Sequence, residues 1–392
     1  MWEAIESNRR RSFVLIVLMG ALLVMLGFSI GAYIDLRQGG PIGALAAVGV
    51  WLVMWIVAVA SGDSILLSQA GAEPVSHEQA PQLFNVVEEM KIAAGLPAMP
   101  EVYVIDSPEP NAFAVGRTPE KSAVAVTSGL IKRLHRDELQ GVIGHEIGHI
   151  LNRDTRFMTQ AAVMLGAIVM ISDIFLRVMR DGGGRRSSRG RGQGQQIFVI
   201  IAIVLAILAP IAARMLWFAC SRRREYLADA TSARLTRFPE GLASALEKIS
   251  GHALRGSSLG ENRALAPLYI VSPLHLSSLF STHPPIEDRI QILRSLGGNA
   301  GLAAYQAAYE GVHKRGVIGS QTLRQAETVA VRPPNEDEVQ KLERVRETLG
   351  ILDHAAGLAP IACACGLNLK IRANDPRASI TCPRCGTKHT IL

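Results

Sequence analysis

Residues 13–34 and 41–60 contain no charged side chain, and nothing else in the chain limits its possible folds so strongly. At about 1.5 Å of rise per residue, a helix of either length crosses a hydrocarbon core of about 30 Å. Inside lipid each backbone N–H and C=O must find a partner within the segment, so both runs are expected as helices. Residues 157–176 and 197–213 approach the same length, although Asp173 interrupts the third run. A composition that is 48% apolar, with a mean hydropathy of +0.22, leans the same way. Arg9, Arg10 and Arg11 mimic the start of a signal peptide, but the run behind them is too long for a signal core and lacks a convincing cleavage site. It reads as a retained anchor. Only Asp35 and Arg37 charge the turn between the first two runs, so the amino terminus is expected in the cytoplasm and a hairpin returns the chain there.

The chemistry is announced by His145-Glu146-Ile147-Gly148-His149, followed by Asn152. On a helix, positions four apart share a face, so both imidazoles reach one ion. Zinc suits neutral imidazole, and a carboxylate between the ligands serves as base toward a water that the metal activates. A catalytic zinc site takes three protein ligands and leaves one position open. Glu225 and Asp229, four apart in Ser221-Arg222-Arg223-Arg224-Glu225-Tyr226-Leu227-Ala228-Asp229-Ala230, supply a third ligand and a hydrogen-bond acceptor for a ligand imidazole.

With these motifs stand Asn111-Ala112-Phe113-Ala114-Val115-Gly116, Val124 to Leu130, and Ser281-Thr282-His283-Pro284-Pro285 ending in Arg289. The set, in this order over residues 5–295, resembles the M48 zinc metallopeptidases, and within them the HtpX-like membrane proteases. The resemblance implies a gluzincin-type peptidase domain, mainly α with a small β-sheet and transmembrane helices. It implies that His145, His149 and Glu225 bind zinc, that Glu146 is the catalytic base, and that Asp229 and Asn152 form the layer behind the ligands. His283 and Arg289 would lie near the substrate, where a donor helps stabilise the oxyanion. It also leans toward four spans, a reading opposed by Arg180, Arg185, Arg186, Arg189 and Arg191 between the last two. A hairpin that dips into the bilayer without crossing is the other arrangement.

Residues 101–105 and 122–127 are short β-branched runs suited to strands, and 111–116 suits an edge strand on which Asn111, Ala112, Phe113 and Ala114 would hold an extended peptide. Ser76 with Gln79 forms a capping box for a helix running to Ala94, and residues 239–249 read as another helix. Gly141, Gly144 and Gly148 each cost the metal helix about 1 kcal/mol relative to Ala, which points to a close neighbouring backbone or substrate. Residues 182–196 are Gly, Arg, Ser and Gln with no interleaved aromatics, so the loop suits anionic lipid rather than nucleic acid. The net charge of +7 fits a membrane surface and names no partner.

Four of the five cysteines, Cys363, Cys365, Cys382 and Cys385, fall in the last thirty residues. They read as a zinc ribbon whose four thiolates close the shell of a second, structural zinc, with Cys363 and Cys365 spaced one residue closer than is usual. The expected organisation is an anchor at 1–62, a peptidase domain at 63–295 interrupted by a hydrophobic hairpin at 157–219, a linker with helical segments at 296–357, with a break at 331–334 and a charged helix at 336–349, and the ribbon at 358–392. Catalytic domain and tail would face the cytoplasm from the inner membrane, with protein or peptide substrates drawn mainly from the bilayer, and the family resemblance implies quality control as the role. The rival is a non-catalytic membrane adaptor that recruits partners through its ribbon; loss of the base or a ligand would mark it, and neither is lost.

Overall fold

The computed structural model describes residues 2–35, 37–182, 193–253, 268–271 and 284–334, and in the tail 358–364, 368–372, 379–383 and 385–390. Helices α1 (Trp2–Ile34) and α2 (Gly39–Gln69) form the amino-terminal hairpin. Their contact is built on glycine: a Cβ on Gly31 would lie 1.9 Å from the Gly39 carbonyl oxygen, and one on Gly43 would lie 2.2 Å from that of Gly27. Where lipid removes the hydrophobic drive, such close backbone packing is what holds two helices together.

Strand β1 (Ala72–Pro74), helix α3 (Pro81–Ala94) and strands β2 (Glu101–Ile105), β3 (Ala112–Thr118) and β4 (Lys121–Thr127) follow. Helix α3 starts later than the capping-box reading placed it. The Ser76 N–H does donate to Gln79 Oε1, but this closes a turn, and the helix begins at Pro81, where a missing N–H costs nothing. The sheet runs β1-β2-β4-β3, with β2 and β4 parallel and the other pairs antiparallel, so β3 is an edge as expected.

Strands β3 and β4 are buried on both faces over most of their length, which explains why they show no polar alternation. Ala112, Ala114, Val124 and Val126 face a core shared with α3 and the helices α5 (Arg136–Leu151), α8 (Pro239–Ala253) and α9 (Ile286–Arg294). Phe113, Val115, Ala123 and Ala125 face a second core made with α1, α2, α6 (Thr155–Gly182) and α7 (Gln193–Thr236). The short helix α4 (Ser128–Arg133) links β4 to α5.

Among the described residues, three helical stretches are long and apolar enough to cross a membrane: Ile16–Ile34, Gly39–Gln69 and Thr155–Arg177. Where the fourth span is expected, the described residues include a shorter apolar helical stretch, Ile200–Ala213. It belongs to α7, which continues past Pro210 without a break into the Glu225 motif.

Residues 296–334 are not the linker that composition suggested. Helix α10 (Leu302–His313) buries Leu302, Tyr305 and Tyr309 in the peptidase core, joined by Val317 and Ile318 ahead of α11 (Ser320–Arg324). Val331, read as a break, donates its N–H to the Gly298 carbonyl. The helix expected at 336–349 lies outside the described residues. In the tail, β5 (Leu358–Ala362) pairs with β6 (Asn368–Arg372), and β7 (Ser379–Thr381) with β8 (Lys388–Thr390).

Helix α5 opens on a capping box: the Glu138 carboxylate accepts from the His135 N–H while the Glu138 N–H donates to His135 Nδ1. Burial works against the Glu138 charge, but hydrogen bonds from His135, from Lys248 Nζ at 2.7 Å and from Ser244 hold its pKa down to about 2. A depressed carboxylate stabilises the fold above its ordinary pKa and loses that contribution as pH falls toward the folded value. The gap in melting temperature between the native chain and Glu138→Gln should therefore be constant above about pH 5 and close below about pH 4. A gap unchanged down to pH 2.5 would contradict this assignment.

Candidate metal centre

Helix α5 reaches its neighbours through the three glycines that weaken it. A Cβ on Gly141 would sit 2.6 Å from the Leu242 backbone nitrogen of α8, one on Gly144 3.1 Å from Ser232 Oγ, and one on Gly148 3.2 Å from the Ala228 backbone. The close approach is thus to neighbouring helices, and it brings α7 within reach of His145 and His149.

Three donors then converge. His145 Nε2 lies 3.2 Å from His149 Nε2 and 3.6 Å from Glu225 Oε2, and His149 Nε2 lies 3.5 Å from Glu225 Oε1. Ligands about 2.0–2.1 Å from a tetrahedral zinc stand about 3.3 Å apart, so the set fits that ion without rearrangement. All three side chains are buried, with Glu146 beside them at 2% exposure. Burial raises the Glu146 pKa, while His145 and His149 act in the opposite sense.

Behind the donors lies a second set. Asp229 Oδ1 is 2.9 Å from His145 Nδ1, which fixes the ring so that Nε2 faces the cluster. Burial alone would lower the His145 pKa, but the Asp229 and Glu225 carboxylates raise it to about 9 in the metal-free chain. Arg289, expected as a substrate-side donor, turns its guanidinium to Asp229. It is fully buried, its Nε and one terminal nitrogen grip Asp229 at 2.8 and 2.7 Å, and the other donates to the Ile270 carbonyl at 3.2 Å. Its positive charge and its hydrogen bonds keep the Asp229 carboxyl low against the cost of burial.

Asn152 differs too. It caps the carboxy-terminal end of α5, and its Nδ2 is buried with no hydrogen-bond partner among the described residues. The group that reaches His149 is Asp154, whose Oδ2 lies 3.4 Å from Nδ1. Just past a helix end, Asp154 has no periodic signal to mark its role. His283 lies outside the described residues.

On β3, Asn111, Ala112 and Phe113 are committed internally. The Asn111 amide donates to the Val271 carbonyl, the Ile270 N–H donates to the Ala112 carbonyl, and Phe113 packs edge-on to Tyr269 at 5.5 Å. Alternation turns the N–H and C=O of Ala112, Ala114 and Gly116 away from β4. Thr155 Oγ1 takes the Gly116 carbonyl, leaving Ala114 as the open position of this edge among the described residues. The segment around Ile270 that occupies the edge gave no sign in the sequence.

The sequence profile of Peptidase family M48 matches residues 77–296. A protease HtpX homolog of Dictyoglomus thermophilum is 47% identical over 298 residues, covering 76% of this chain and 95% of its own. One from Streptococcus uberis is 41% identical, covering 76% and 100%. The chain belongs to peptidase family M48. Among solved structures, the crystal structure of S. mikatae Ste24p covers 75% of this chain and 67% of its own at a TM-score of 0.40 and 18% identity. This M48 peptidase is a membrane metalloprotease, and M48 metalloproteases use zinc.

A separate thiol cluster occurs in the tail of the M48 peptidase. Cys363, Cys382 and Cys385 offer sulfurs within 4.8 Å of one another. Gly386, at φ +75°, donates its N–H to the Cys382 carbonyl, and the Cys382 N–H returns to Thr387. Cys365 lies outside the described residues.

Proposed function

We propose that this peptidase hydrolyses internal peptide bonds of membrane or misfolded proteins at the cytoplasmic face of the inner membrane, as a quality-control protease. The observation that carries the chemistry is the convergence of His145, His149 and Glu225 within 4.8 Å, with Glu146 on the same helix face region and excluded from water. Zinc bound there would supply Lewis acidity toward the scissile carbonyl and the attacking water. Glu146 takes the proton of that water and passes it to the leaving amine, a role suited to a carboxyl whose pKa burial has raised. Asp229 and Asp154 hold the two ligand rings by their Nδ1 atoms, and Arg289 keeps Asp229 ionised. An extended substrate would pair with Ala114 on β3, with His283 on the substrate side.

The membrane sets the substrate pool. Seven residues separate His149 from Phe157, and five separate Ala219 from Glu225. On α7, which is helical throughout, 1.5 Å per residue puts Glu225 on the order of 10 Å along the axis from Ala219. Loops tethered beside the bilayer should be cleaved faster than the same sequence in solution. Equal rates for tethered and soluble forms of one reporter, in the same vesicles, would overturn the membrane-substrate reading.

The tail is assigned a structural zinc held by Cys363, Cys365, Cys382 and Cys385, with no open position and hence no catalysis. Removing residues after Pro334 should take bound zinc from two equivalents to one and leave peptide cleavage in place. Two equivalents after truncation would refute the ribbon.

A further inference from the structure

The match to the family ends at residue 296, yet the chain beyond it packs against both helices that carry the metal ligands. We propose that residues 297–334 are a brace that sets the distance between those helices, with His313 and Arg332 as its positioning residues.

The need for a brace follows from α7. Glu225 sits on a helix that is continuous with an apolar stretch, so a small tilt of that long rod would carry the carboxylate away from the histidines on α5. The glycines of α5 permit close approach but do not enforce it. The extension fastens α7 on both sides of Glu225. On one side, the Arg223 Nε donates to the Val317 carbonyl at 3.1 Å, and the Tyr226 hydroxyl is hydrogen-bonded to His313 Nε2 at 2.9 Å. Tyr226 also meets the Tyr309 ring edge-on at 4.8 Å. The same His313 nitrogen lies 3.7 Å from Asp288, the neighbour of Arg289, so one side chain touches residues adjacent to a metal ligand and to the Asp229 partner. Gln306 closes the following turn by accepting from the Val317 and Ile318 N–H groups.

At the other end a single guanidinium joins the two ligand helices. Arg332 donates through one terminal nitrogen to Asp137 Oδ1 at 2.8 Å and Gln140 Oε1 at 2.6 Å, both on α5. Its Nε donates to the carbonyl of Thr236, the last residue of α7, at 2.9 Å, and its backbone N–H to the Arg237 carbonyl at 2.9 Å. The group also lies over the Phe238 ring, 5.1 Å from the centroid. Neither His313 nor Arg332 touches the metal donors, so their effect on chemistry passes through helix placement.

The test uses the full-length chain in detergent, comparing His313→Ala, His313→Gln, Arg332→Met and Arg332→Lys. Zinc release to a chromophoric chelator is followed directly, with zinc held by the tail read from His145→Ala. His313→Ala and Arg332→Met should each weaken zinc retention at the peptidase site about 10-fold, as loss of groups that orient metal ligands does. They should lower kcat with KM little changed. His313→Gln, which still offers Tyr226 a polar partner, should recover most of the loss, and Arg332→Lys, which keeps charge but not the fork, should not. Native zinc release and kcat in the Ala and Met variants, even with a lower melting temperature, would reduce the extension to scaffold and overturn the proposal. If the Met variant does not fold, Arg332→Lys decides the same question.

Discussion

Glu146→Gln should leave zinc at the peptidase site and lower peptide cleavage by about 10²- to 10⁴-fold, the usual worth of a positioned proton acceptor. The substitution preserves volume, and Glu146 is not among the three converging donors, so the metal has no reason to leave. What disappears is the acceptor for the water proton. His145→Ala should behave differently, losing both metal and cleavage, because one donor and the hydrogen bond to Asp229 vanish together. The pair of variants separates base from ligand. Wild-type casein cleavage by Glu146→Gln would remove Glu146 from the mechanism.

Arg289→Met is the second large effect, and it concerns stability before activity. Asp229 and Arg289 are both fully buried, and the guanidinium contributes two hydrogen bonds to that carboxylate while standing 3.7 Å from Glu225. Taking away one partner of a buried pair leaves an uncompensated charge, at a cost of about 3–5 kcal/mol. Here two carboxylates would face each other across a site without its cation, so zinc-free protein should be hit hardest. Adding Asp229→Asn to Arg289→Met should return part of the stability, since one of the two carboxylates is then neutral, but none of the hold on His145. A single Met variant melting within about 1 kcal/mol of the native chain would show that the pair contributes little.

Much of the centre was legible because its signals are local. Spacing alone put His145 and His149 on one face, and the i, i+4 pair Glu225 and Asp229 held the remaining ligand and its neighbour. Arg289 shows where such reading stops: its motif suggested a place beside the substrate, but which partner a long side chain reaches depends on packing 60 residues away in sequence. Asp154 belongs to the residues that carry the family resemblance, but its role gave no local signal, since a carboxylate just beyond a helix end looks like an ordinary turn. The sheet was found from its β-branched runs, whereas the coverage of its edge by Ile270 could not be. Residues 296–334 read as linker because Ala, Gly and scattered polar groups dilute the apolar positions; Tyr305 and Tyr309 go inward only because α7 and α9 offer them a surface.

Phe113, Val115, Ala123 and Ala125 are covered by helices that belong in or against the bilayer, and the reverse side of the same strands supports the ligand helix. Without those helices in place, the same strands would be bare on one side. Support for the ligand helix is thereby tied to the seating of the apolar helices on the far side of the same strands.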